Sequence, residues 1–134
     1  MDVYLQDLKT ITSYINKQRA LCSFYERNQM QNCLKQTVNQ IEKLKIKYGT
    51  FITKRRQFQR KLHYKYVKSY NKVFYEVRFL KKAIIKEKTF STKAYLFQRK
   101  LVLQKRQNRL KKCVLSTKKR LLTFNSILKK IKML

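Results

Sequence analysis

Residues 54–82 read KRRQFQRKLHYKYVKSYNKVFYEVRFLKK, and their reading decides the fold. The stretch has no Gly or Pro and one carboxylate, Glu76. Phe58, Leu62, Tyr66, Tyr70, Val73, Val77 and Leu80 recur every three or four residues, the spacing of an apolar stripe on an α-helix. Lys61, Lys65, Lys68 and Lys72 recur at the same pitch on another face. Side chains at that spacing are neighbours, so each like-charged pair destabilises an isolated helix by about 0.2–0.5 kcal/mol. The row is expected to be completed by something negative.

The charge of the whole chain points the same way. The 134 residues carry a formal net charge of +29. Self-repulsion works against a compact fold, so a field of this size serves a partner. Nucleic acid, an anionic membrane or an acidic protein would answer it, and release of counterions from phosphates favours nucleic acid. The charge is graded. Residues 1–53 hold eight Lys/Arg against four acids, residues 54–87 twelve against two, and residues 88–134 fifteen against none. Residues 1–49 are thus expected to face neighbouring proteins, and the remainder a polyanion. High net charge also marks disordered chains. With no Pro, one Gly and 9 Tyr plus 8 Phe, order is expected in the bound form, and helix gain on binding in the free form.

Outward from the opening stretch, the periodicity predicts four helices. Tyr4, Leu8, Ile11 and Ile15 predict a first helix over residues 3–21, with Asp2 as a cap or first-turn acid. Ser23-Phe24-Tyr25-Glu26 fits a capping box. It would open a second helix through Met30, Cys33 or Leu34, Val38, Ile41, Leu44 and Tyr48. Gly49, the only glycine, falls where a left-handed C′ residue would end that helix, with Thr50 capping a third helix over 51–88. Lys88-Thr89-Phe90-Ser91-Thr92 interrupts the pattern, and Ser91 or Thr92 would cap a fourth helix over 92–132. There Leu96, Leu103, Leu110, Thr117, Phe124 and Ile131 recur every seven residues, with Val114, Leu121 and Leu128 as a second seam position. Lys100 and Gln107 hold that second position earlier, and Ser116-Thr117 offers an alternative break. The expected architecture is all-α and elongated: a single module with a less basic part (1–49) and a long basic hairpin (50–134), its long helices antiparallel.

The residues expected to contact phosphate form three clusters. They are Lys54, Arg55, Arg56, Arg60, Lys61, Lys65, Lys68 and Lys72; then Arg99, Lys100, Lys105, Arg106, Arg109, Lys111 and Lys112; then Lys118, Lys119 and Arg120, followed by Lys129, Lys130 and Lys132. Arginine suits the more specific contacts, because a planar guanidinium binds phosphate bidentately and stacks on bases. Among Tyr64, Tyr66, Tyr70, Phe74, Tyr75 and Phe79, most are expected in a helix–helix core. Tyr64 and Tyr75, off the main stripe, are the candidates for base stacking. His63 reads as a phosphate neighbour or spacer.

Other chemistry is sparse. Six scattered acids, one His and one Gly give no triad, no paired carboxylates and no phosphate loop, so no enzyme is expected. Cys22, Cys33 and Cys113 lack the paired spacings of a zinc site, so neither metal nor cofactor is expected. No uncharged run approaches the ~20 residues of a spanning helix. The N-terminal residues read neither as a signal peptide nor as a standard presequence. Lys outnumbers Arg, and the residues with GC-rich codons are depleted, which suggests an AT-rich coding sequence. The expected function is a structural RNA-binding subunit of a ribonucleoprotein, most concretely a small ribosomal protein of an organelle or of an AT-rich eukaryote that neutralises and braces rRNA, in a mitochondrion or other organelle, otherwise in the cytoplasm. The alternatives are a nonspecific DNA-packaging protein and a structural accessory subunit of a protein or membrane-associated complex.

Overall fold

The computed structural model describes residues 2–134. They are all-α, in three helices: α1 (Asp2–Arg27), α2 (Gln31–Lys86) and α3 (Phe90–Met133). Three helices stand where four are expected, because Gly49 lies inside α2 and its φ is not positive. A mid-helix glycine costs about 1 kcal/mol relative to alanine. Tyr48 and Ile52 are both buried on either side of it. Burying one such side chain contributes about 1.5–3 kcal/mol, so packing outweighs propensity and the helix runs on. Thr50 is exposed within the helix and caps nothing.

The first break comes later than the capping box predicts. Ser23–Glu26 forms the end of α1, and the chain turns at Asn28–Met30. Gln29 adopts φ 56°, Met30 N–H donates to the Tyr25 carbonyl at 2.8 Å, and Gln29 N–H donates to the Glu26 carbonyl at 3.2 Å. This is a Schellman ending with glutamine where glycine is usual. The second turn spans residues 87–89. Thr89, not Ser91 or Thr92, opens α3, and its carbonyl accepts from Lys93 N–H at 2.9 Å. Glu87 Oε1 accepts from the N–H groups of Lys88 and Thr89 at 3.1 and 3.0 Å, which satisfies the turn's free donors. At Ser116-Thr117 α3 is unbroken. The Thr117 hydroxyl lies 2.9 and 3.0 Å from the carbonyls of Cys113 and Val114, one turn back.

The chain forms two compact units. One takes the chain up to Phe58 together with Arg120–Leu134, and the other is Gln59–Lys119. In the first unit Leu8, Tyr48, Ile52, Phe124, Ile127 and Ile131 form the core, with Tyr4, Ile11 and Leu128 against it. The Tyr4 ring meets Phe124 edge-on at 5.1 Å, and the Tyr48 hydroxyl donates to the Tyr4 carbonyl at 3.0 Å. Gly49 lies by Ile131 and Arg56 by Asn125, so α2 and α3 run in opposite directions in this unit. In the second unit Val73, Val77, Leu80 and Leu103 form the core, with Leu96 and Leu110 against it.

The buried face of α2 follows a heptad that the sequence reading missed. Ile52, Gln59, Tyr66, Val73 and Leu80 hold one position, and Arg56, His63, Tyr70 and Val77 the other. All are buried or half-buried. Phe58, assigned to the stripe, is 65 % exposed, and the buried residue beside it is Gln59. Likewise Thr37 is buried where Val38 was expected, its hydroxyl bonded to the Cys33 carbonyl at 2.8 Å. In α3 the seam falls on its expected positions: Leu103, Thr117, Phe124 and Ile131 are buried, and Leu96 and Leu110 half-buried.

Candidate nucleic-acid interface

In the second unit Lys61, Lys65, Lys68 and Lys72 are all exposed. Each follows a seam position by two residues, which places it about 200° around the helix and thus nearly opposite the core. Among the described residues no carboxylate pairs with any of the four. Arg60 is exposed on the same helix. On α3, Arg99, Lys105, Arg106, Arg109, Lys111, Lys112, Lys118 and Lys119 are exposed. Lys100 is half-buried, with its ammonium 4.6 Å from the centre of the Phe97 ring, so it is partly committed within the fold.

Aromatic side chains lie among these cations. Tyr64 and Tyr75 are exposed, at 69 % and 65 %. Phe74 and Phe79, expected in the core, are exposed as well. The heptad explains this: Tyr66, Tyr70, Val73, Val77 and Leu80 fill the seam, and Phe74 and Phe79 fall outside it. Tyr70 stacks on Phe74, and Phe74 meets Tyr75 edge-on with centroids 5.7 Å apart. Tyr75, Phe79, Arg99 and Leu103 line a surface cavity that also includes Glu76 and Leu80. It thus brings two exposed aromatic rings beside a guanidinium.

His63 does not stand among the exposed cations. Its Nδ1 is 2.7 Å from the Thr117 Oγ1 in the interior of the second unit.

In the first unit Lys54, Arg55 and Arg120 are exposed. The Arg55 guanidinium carbon sits 5.3 Å from the Phe51 ring centre. Arg56 departs from its expected outward place. It occupies a seam position, is half-buried, and donates from Nη1 to Asn125 Oδ1 at 3.3 Å. Lys129 and Lys132 join it around one cavity with Thr53, Asn125 and Leu128. The first-unit core also perturbs one titratable group. Burial, with the nearby Asp7 and Tyr4, pushes the Tyr48 phenol above its ordinary value.

Cys22, Cys33 and Cys113 are free thiols, each half-buried. Among the described residues no three His, Cys, Asp or Glu converge as a metal site, and no helix is long and apolar enough to cross a membrane. No protein-family model, curated protein or solved structure matches the chain.

Proposed function

We propose that this chain is a structural RNA-binding subunit of a ribonucleoprotein, most concretely a ribosomal protein of a mitochondrion or other organelle. The observation that carries the reading is the exposed row Lys61, Lys65, Lys68 and Lys72, opposite the seam and without carboxylate partners. Such a row neutralises successive phosphates, and release of their counterions drives association. The apolar seam fixes the spacing of the cations, so binding braces the RNA as well as neutralising it. The exposed rings of Tyr64, Tyr75 and Phe79 favour RNA over duplex DNA, since they offer stacking platforms to unpaired bases. Residues 1–49, the less basic part, supply the contact with neighbouring proteins. The role is structural, with no catalysis and no cofactor.

Sedimentation of the native protein from its source, with and without nuclease at moderate salt, tests this. The expected result is migration with a ribosomal subunit that is lost on RNase treatment. Loss on DNase alone would make it a DNA-packaging protein. Migration unchanged by either nuclease would make it an accessory subunit of a protein or membrane complex.

A further inference from the structure

The cavity lined by Thr53, Arg56, Asn125, Leu128, Lys129 and Lys132 has a volume of about 400 Å³. Three cations line it and no carboxylate does. Its polar groups are also almost all donors. The Thr53 hydroxyl is committed, donating to the Gly49 carbonyl at 2.7 Å. Asn125 Oδ1 accepts from Arg56, which leaves the Asn125 amide hydrogens to donate. Arg56 itself is under-bonded. Its Nε is covered and has no hydrogen-bond partner, and its bond to Asn125 is long. A guanidinium carries five N–H donors in a rigid fork suited to phosphate. The end of α3 opposes an anion here, but a helix terminus contributes only about −0.5 of a charge against three full cations.

We propose that this cavity binds a single phosphate group, held by Arg56, Asn125, Lys129 and Lys132 and supplied by a phosphodiester of the RNA backbone. The source of the phosphate rests on the RNA reading above, whereas the site rests on the geometry alone. A ligand that only accepts hydrogen bonds and carries negative charge answers Arg56, Asn125, Lys129 and Lys132 together. Arg56 then differs from the exposed cations: it fixes one phosphate in register with the core, while they follow the backbone at large.

The test is a titration of the full chain with inorganic phosphate replacing chloride at constant ionic strength, followed through the Arg56 Nε–H signal by ¹H–¹⁵N NMR. The expected result is a saturable shift. It should weaken at least tenfold in Lys129→Gln/Lys132→Gln and persist in Lys35→Gln/Lys43→Gln, which loses the same charge at exposed positions outside the basic clusters. A linear drift shared by Arg99 and Arg109, or equal weakening in both variants, means an adventitious ion only and overturns the site. A second titration uses structured RNA. Displacement of phosphate from Arg56 by the RNA supports the proposal in full. RNA binding that leaves the Arg56 signal unmoved overturns the phosphodiester source and leaves the RNA function standing. Saturation by phosphate with no RNA binding sinks the RNA function and leaves a site for free phosphate.

Discussion

His63 Nδ1 and Thr117 Oγ1, one from each long helix, lie 2.7 Å apart in the second unit. The Thr117 hydroxyl also lies within hydrogen-bond reach of the Cys113 and Val114 carbonyls. The tautomer of the His63 ring sets which of the two groups donates in this bond. Thr117→Val removes the partner of His63 Nδ1 and leaves that nitrogen short of a hydrogen bond, a loss of about 1–2 kcal/mol. His63→Leu with Thr117→Val replaces both polar groups in a heptad seam by apolar ones, and such replacement is often neutral or stabilising. The double variant is expected to be more stable than Thr117→Val alone. Urea unfolding in ~1 M salt, where the Debye length falls to about 3 Å, checks this without interference from net charge.

The chain's one glycine and the one left-handed residue among those described stand at the opposite sites from those that backbone preference favours. Gly49 sits mid-helix, and Gln29 takes φ 56°. A Cβ at Gly49 would meet Ile131 Cγ2 at 3.9 Å, an ordinary contact. Gly49→Ala is expected to stabilise by about 1 kcal/mol through helix propensity. Gln29→Gly is expected to stabilise by roughly 0.5–1 kcal/mol, because the left-handed region costs an L-residue about 1–2 kcal/mol and glycine's extra unfolded-state entropy returns part of that. The sites lie in separate segments, so the two gains should add in the same unfolding assay.

Tyr48 gives the first unit a dependence on alkaline pH. Its phenol is raised, first by burial and then by Asp7 and Tyr4. Below about pH 10 the group is neutral both folded and unfolded, and its contribution is complete. Above that the unfolded chain ionises first, so stability falls as pH rises through the folded value. Tyr48→Phe should cost about 1 kcal/mol at neutral pH by losing the bond to the Tyr4 carbonyl. The gap between the two proteins should then narrow above pH 10. Thermal unfolding of both across pH 8–11, roughly spanning the tyrosine range, measures it.

The elements that apolar periodicity defines were legible in the sequence. Tyr4, Leu8, Ile11 and Ile15 face inward on α1, and the seven-residue repeat of α3 falls on its seam. The errors arose where polar residues fill core positions. Arg56, Gln59 and His63 interrupt the α2 seam, so an apolar count slid onto Phe58 and sent Phe74 and Phe79 inward. Keeping the heptad of Tyr66, Val73 and Leu80 and stepping back by sevens would have reached Gln59 and Ile52. Gly49 misled for a different reason. Its local preference for a helix end is smaller than the packing of Tyr48 and Ile52 across it. Lys61, Lys65, Lys68 and Lys72 are exposed along α2 at the spacing that the sequence shows. The phosphate cavity was hidden, since it joins residues nearly seventy apart in sequence.

Lys61, Lys65, Lys68 and Lys72 supply a prediction in which stability and binding move in opposite directions. Three neighbouring like-charged pairs along the row cost the free helix roughly 1 kcal/mol in all at low salt. The free chain is therefore expected to be poorly helical at low ionic strength and to gain helix on adding RNA or salt, as read by circular dichroism. Replacing all four by Gln keeps helix propensity nearly constant. Helix content of the free chain should rise at low salt, while RNA affinity falls and the slope of log K against log salt decreases by roughly three to four. A solvated face with no partner would show the first effect without the second. A spectrum fully helical at low salt, together with an unchanged slope, would remove these lysines from the interface.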